Sequence, residues 1–176
     1  MIEKSILLIL PAENFNEQEY LLVKNAFEKS NYKIFIASDS YALCTGGSGM
    51  KVRADVSFYN MHENNFAAVV FIGGSGVKNY WDNPTLHLIA ESFNKNRKPV
   101  AAICSAPVIL AKAGLLSNIE ATCYPADKKM LENGGCIFKD APVVAAKNII
   151  TANGPAAAVE FTHAVIGHIV KRFSSV

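Results

Sequence analysis

Cys104 is the residue best placed to do covalent chemistry. Pro99-Val100-Ala101-Ala102-Ile103 is a short apolar run that reads as a buried strand. Cys104-Ser105-Ala106-Pro107-Val108-Ile109-Leu110 follows at once and reads as a helix start, with proline near the first turn. Cys104 therefore falls on a strand-to-helix corner. Ala102 and Ala106, two positions either side, are small enough for the two backbones to pass closely, the pattern of a nucleophile elbow. Such a corner holds its side chain on strained backbone above the carboxyl edge of a sheet, facing main-chain N–H groups. Those dipoles are expected to lower a thiol's pKa and to stabilise negative charge on a neighbouring atom. The competing reading is a buried cysteine acting as a small apolar side chain.

Ligands of an open parallel sheet bind beyond the carboxyl ends of its strands. Two further strand ends carry residues that could serve the thiol. The loop after Leu10 holds Glu13, Glu17 and Glu19. A carboxylic acid kept neutral by partial burial donates a hydrogen bond to sulfur and shuttles a proton. Glu19 falls in the first turn of the expected helix and can reach back over the sheet edge. Glu13 and Glu17 are its rivals, and pairing with the helix dipole is the plain alternative for all three. Gly73-Gly74-Ser75-Gly76 lacks the Lys-Ser/Thr of a P-loop and completes no dinucleotide fingerprint. Its bare backbone can instead bring the amides of Gly73 and Gly74 beside Cys104, where they would join the Ser105 amide in an oxyanion hole. Tyr124, before Pro125, offers a phenolic hydroxyl. His62, His87, His163 and His168 read as surface or core residues, and none follows Cys104.

The elements that must position these groups follow from the apolar pattern. Ser5 to Leu10, Tyr32 to Ala37 and Ala67 to Ile72 read as strands, with a short strand around Lys51 to Arg53 after the flexible turn Thr45 to Gly49. Asn16 or Asn14 caps a helix running to about Ser30, and Thr85 to Arg97, with Pro84 at its start, forms a second. The helix after Cys104 ends near Ala113-Gly114. Ala121 to Tyr124 reads as a strand and Ala126 to Asn133 as a short helix. Ile137 to Ala145 and Asn148 to Ala152 read as an edge pair, and Ala157 to Phe173 as a terminal helix. Strands alternating with helices specify an α/β architecture with a mostly parallel, doubly wound sheet. No linker or repeat divides residues 1–176, so one domain is expected.

Composition removes several classes of function. At 176 residues, 51% hydrophobic and 18% charged, the chain suits a sheet covered on both faces. A net charge of +2, with lysines and arginines scattered, gives no footprint for nucleic acid. The four cysteines form no CxxC pair and no histidine lies at ligand spacing, so neither a metal site nor a disulfide framework is expected. Met1 to Leu10 reads as a first strand and not as a signal peptide, and no run approaches a membrane span; a cytoplasmic location is expected.

Taken together, these motifs resemble the DJ-1/PfpI (ThiJ) superfamily, whose fold is that of the class I glutamine amidotransferases. The resemblance is carried by Phe15-Asn16-Glu17-Gln18-Glu19, Gly73-Gly74, Ala101-Ala102-Ile103-Cys104-Ser105-Ala106-Pro107, Tyr124-Pro125-Ala126-Asp127 and Asn153-Gly154-Pro155. It implies a flavodoxin-like three-layer sandwich, usually a homodimer. It also implies a reactive cysteine, Cys104, hydrogen-bonded by a protonated glutamate, Glu19, with the amides of Gly73, Gly74 and Ser105 as the anion pocket. The chain departs from the PfpI type, which places a histidine directly after the cysteine where this chain has Ser105. It also has Tyr124 where DJ-1-like members often have histidine, and Arg53 where some have a second oxidisable cysteine.

The expected function is a cysteine-dependent enzyme acting on a small carbonyl or glycated substrate, of the glyoxalase or deglycase kind, with neither metal nor organic cofactor. Cys104 would add to an aldehyde, Glu19 would move the proton, and the amides would hold the oxyanion. One alternative is a redox-sensing, chaperone-like stress protein that works through oxidation of Cys104. Another is a PfpI-like cysteine peptidase or amide hydrolase.

Overall fold

The computed structural model describes residues 4–39 and 43–174, so Met1-Ile2-Glu3 of the N-terminal reading lie outside it. In chain order its first half contains β1 (Ser5–Ile9), β2 (Glu13–Phe15), α1 (Glu17–Lys29), β3 (Lys33–Ser38), β4 (Leu43–Gly46), β5 (Lys51–Arg53), β6 (Val56–Ser57), β7 (Ala68–Phe71) and α2 (Pro84–Lys95). The second half contains β8 (Val100–Ile103), α3 (Pro107–Lys112), β9 (Glu120–Ala121), α4 (Lys128–Asn133), β10 (Ile137–Phe138), β11 (Val143–Ala146), β12 (Ile149–Ala152) and α5 (Ala158–Ser174).

Seven strands form the central sheet in the order β11-β12-β8-β7-β1-β3-β6, and every pairing except β11 with β12 is parallel. The continuous apolar runs behave as expected of strands buried on both faces. One face packs against Leu86, Ile89 and Phe93 of α2, Val108 to Ala111 of α3 and Leu131 of α4. The other packs against Tyr20, Val23 and Phe27 of α1 and Phe161, Val165 and Ile169 of α5. The molecule is thus an α/β sandwich of three layers. Burying an aliphatic or aromatic side chain of this size contributes roughly 1.5–3 kcal/mol, so two such faces can outweigh the chain entropy lost. No helix among the described residues is long and apolar enough to cross a membrane.

Three elements depart from the sequence reading. Only Glu120–Ala121 of the expected strand around Ala121 to Tyr124 is extended, and it pairs outside the main sheet with β10. Beyond Ala121 the N–H groups leave the ladder: that of Thr122 donates to the Thr151 hydroxyl at 3.0 Å and that of Tyr124 to the Cys104 carbonyl at 2.7 Å. The stretch 137–145 accordingly divides: β10 joins β9, and only β11 pairs with β12. As expected, β11 and β12 form an antiparallel pair at one edge of the sheet, with β11 outermost and β12 buried between it and β8. The turn at Thr45 to Gly49 is flanked by two strands, β4 as well as β5, in an antiparallel hairpin that joins β2. Val56–Ser57 forms a further short edge strand beside β3.

Candidate active site

The sheet order makes β8, β7 and β1 neighbours, so the loops that leave their carboxyl ends converge. Cys104 leaves β8 at φ +63° and is followed within three residues by Pro107, the first residue of α3. A non-glycine residue in this region stores about 1–3 kcal/mol of strain. Its backbone is clamped on both sides: the Cys104 N–H donates to the Ala152 carbonyl at 2.9 Å, and its own carbonyl accepts from the Tyr124 N–H at 2.7 Å. The side chain is 8% exposed.

Glu19 is delivered by the start of α1. Asn16 caps that helix, its side-chain oxygen accepting from the Glu19 N–H at 3.0 Å. The Asn16 N–H in turn donates to the Gly73 carbonyl at 2.9 Å, and the Gly73 N–H donates to Glu19 Oε2 at 2.9 Å. This exchange ties the first turn of α1 to the loop after β7. A side chain at Gly73 has no room: a Cβ there would lie 2.7 Å from Cys104 Cβ, 2.7 Å from Glu19 Oε2 and 2.8 Å from the Ile103 carbonyl. Gly74 sits at φ +117°, and a Cβ on it would run into Asn14 O and Asn16 N. Of the rival carboxylates, Glu17 accepts from the Ser48 and Met50 N–H groups at 2.8 and 2.9 Å, holding the β4–β5 turn. Glu13 lies exposed on β2.

The electrostatics couple the acid and the thiol. Glu19 is 0% exposed, and burial pushes its carboxyl up to about 7, against the opposing pull of Cys104 and the Gly73 N–H. Its second oxygen, Oε1, is buried without a hydrogen-bond partner. The thiol is close enough to act on the carboxyl but supplies no well-aligned bond to that atom. An orphaned carboxylate oxygen is costly, whereas a carboxylic acid can carry its proton there. Cys104 is itself pushed up to about 12, by burial first and then by the charge and hydrogen bond of an ionised Glu19. The N–H and hydroxyl of Ser105 pull it down but do not win. The lowered thiol pKa expected from the sequence is therefore not met, because desolvation and the neighbouring carboxylate outweigh what the Ser105 donors return. When Glu19 holds a proton, both of its contributions to that rise disappear.

The structure thus brings together Cys104, Glu19 and Gly73, with Ser105 following the sulfur in the chain and Gly74 following Gly73. Two expected roles change. The Gly73 N–H is engaged by Glu19 and orients the acid, so it is not open to an oxyanion. Tyr124 lies at the start of a 3₁₀ turn with its side chain 45% exposed, and what ties it to the site is its backbone bond to Cys104.

Asp127 stands in one of the motifs that carry the resemblance but has no role there, and the structure sets it beside the elbow. Asp127, 3% exposed, accepts from the Ser105 hydroxyl at 2.6 Å and from Lys78 Nζ at 3.1 Å. Trp81 Nε1–H donates to the Ser105 carbonyl at 2.8 Å. No spacing signalled this cluster, since its members come from three separate loops.

The chain that carries this arrangement matches a known family. The DJ-1/PfpI family model matches residues 4–168, and the chain is a member of the DJ-1/PfpI family. It is 32% identical to a deglycase of Pyrococcus horikoshii over 149 residues, which is 85% of this chain and 90% of that one. It is also 32% identical to a putative cysteine protease of Bacillus subtilis, over 84% of this chain and 88% of that one. Among solved structures, the ThiJ/PfpI domain protein of Brachyspira murdochii superposes with a TM-score of 0.94 at 34% identity, covering 97% of this chain and 99% of that one.

Proposed function

We propose that the protein acts on reactive carbonyls through Cys104, as a glyoxalase- or deglycase-like enzyme. What supports this reading above all is the Glu19 carboxyl, buried at the sulfur with one oxygen unpartnered and its pKa pushed up to about 7. An acid so placed holds or releases one proton near neutral pH, as general acid–base catalysis requires.

Cys104 and Glu19 hold one exchangeable proton between them when a substrate carbonyl arrives. Sulfur attacks the carbonyl carbon, and the oxygen takes the charge facing the amides of Gly74 and Ser105. Glu19 then protonates that oxygen, giving a hemithioacetal. With a 2-oxoaldehyde, the Glu19 carboxylate next moves the proton of the sulfur-bearing carbon to the adjacent ketone carbon through an enediol, while the hemithioacetal hydroxyl gives its proton to the former ketone oxygen and becomes the thioester carbonyl. The product is a 2-hydroxy thioester. Water cleaves the thioester, releasing the 2-hydroxy acid and returning the thiol. Methylglyoxal incubated with the pure protein should yield lactate, and Cys104→Ala should abolish the reaction. Absence of turnover by the wild-type protein would sink this reading.

A second reading uses the same sulfur. Oxidation of Cys104 to a sulfinate would give the Glu19 Oε1 proton an acceptor, so the orphaned oxygen favours it as well. Mild peroxide should then add two oxygens, both on Cys104. Peptide hydrolysis has less behind it, because the position after the nucleophile is a hydroxyl bonded to Asp127 and not an imidazole.

A further inference from the structure

The two amides left for an oxyanion sit on separate loops. Gly74 opens the 3₁₀ segment Ser75–Tyr80 after β7, and Ser105 follows the elbow after β8. For two donors to stabilise a developing charge, their separation must be held within a fraction of an ångström, since donors that must reorient lose much of their effect. A closed ring of side chains joins the two loops. The Ser105 hydroxyl donates to Asp127, Asp127 accepts from Lys78, Lys78 Nζ lies 5.3 Å from the centre of the Trp81 ring, and Trp81 Nε1–H donates back to the Ser105 carbonyl. Lys78 belongs to the segment that Gly74 begins, and Trp81 follows it directly. Asp127 comes from a third loop and is nearly inaccessible.

Bonds at its hydroxyl and its carbonyl restrain Ser105 beyond its Cα, and the Cys104 carbonyl, which shares a peptide plane with the Ser105 N–H, is held by the Tyr124 N–H at 2.7 Å, so the direction of that N–H is restrained from both sides. A carboxylate as buried as Asp127 is costly unless paired and hydrogen-bonded, and here both conditions are met. Surface solvation does not explain its position.

We propose that Asp127, with Lys78 and Trp81, is a positioning residue for the oxyanion site, locking the Ser105 amide to the loop that carries Gly74. The proposal rests on the oxyanion role given above to Gly74 and Ser105.

The test compares two reactions of the same sulfur. Alkylation of Cys104 by iodoacetamide develops no oxyanion, whereas acylation by p-nitrophenyl acetate does. In Asp127→Ala, acylation should fall about 10- to 100-fold while alkylation stays within about twofold, an effect somewhat smaller than deleting an oxyanion donor outright. Asp127→Asn keeps an acceptor for the Ser105 hydroxyl and should recover part of the loss. Lys78→Ala changes a side chain that is 44% exposed, which guards against failure to fold, and should show the same selectivity at a few-fold. Equal losses in both reactions, no loss in either, or a wild-type protein that p-nitrophenyl acetate does not acylate would each overturn the proposal. Failure to turn over methylglyoxal with selective acylation intact would sink the carbonyl function and leave this inference standing.

Discussion

Cys104 and Cys123 are a matched pair of buried thiols with opposite prospects. They sit in the two separate apolar clusters on the two faces of the sheet. Burial is the leading cause that pushes each thiol up to about 12. The difference lies in what surrounds each sulfur. Cys123 donates to the neighbouring Tyr124 carbonyl at 3.2 Å, and the charges that act on it are all negative. Cys104 stands on a positive-φ corner, beside an acid that can be neutral and a Ser105 N–H that lowers its pKa. Thiol burial alone therefore does not mark a nucleophile. Under the proposed function, what sets Cys104 apart is a proton-holding partner and an aimed donor.

The largest expected effect comes from making Cys104 resemble Cys123. Glu19→Gln keeps the size and an acceptor for the Gly73 N–H but cannot carry the proton. Carbonyl turnover should fall by about 10²–10⁴, the usual range for a general acid–base group. A loss of less than threefold in kcat would place the proton elsewhere.

The same carboxyl should also leave its mark on stability. Its folded pKa of about 7 exceeds the unfolded value of 4.5, so the folded state binds the proton more tightly. The contribution is fully present below pH 4.5 and is lost as pH rises through 7. At 1.36 kcal/mol per pKa unit, that loss amounts to about 3 kcal/mol. Urea denaturation from pH 4.5 to 8 should show the slope in the wild type and a flatter profile in Glu19→Gln. Parallel profiles would mean that the carboxyl is not perturbed.

Gly73→Ala tests the close approach of the two loops. Its methyl group meets Cys104 Cβ and the Ile103 backbone, which cannot move cheaply. Overpacking of this kind costs about 1–3 kcal/mol, which a shifted urea midpoint would report. The smallest effect belongs to Cys123→Ala. Cys104 alkylation and turnover should stay within about twofold of the wild type, and a larger drop would show that the two sulfurs communicate across the sheet.

The fold was legible because its strongest signals are local. Runs such as Ile6 to Leu10 and Val69 to Ile72 are apolar without alternation, and only a sheet covered on both faces buries every residue of such a run. The elbow was legible for the same reason, since Ala102, Cys104, Ala106 and Pro107 are neighbours in sequence. The stretch 120–145 was misjudged where pairing depends on a distant partner, as β9 with β10 does. The task of the Gly73 N–H was also hidden, because an amide's partner is not written in its own segment.

By itself, the order of residues determined the three-layer architecture, the sulfur at the corner and the neighbouring acids from which one had to be chosen. The resemblance had already pointed to Glu19 among them, but burying it against the sulfur while Glu17 holds a turn, turning Gly73 toward the acid and closing a ring through Asp127, Lys78 and Trp81 were decided only by the tertiary structure. The physical reason is that hydrophobic periodicity acts over a few residues, whereas burial and hydrogen-bond partners at this site come from loops as many as 54 residues apart.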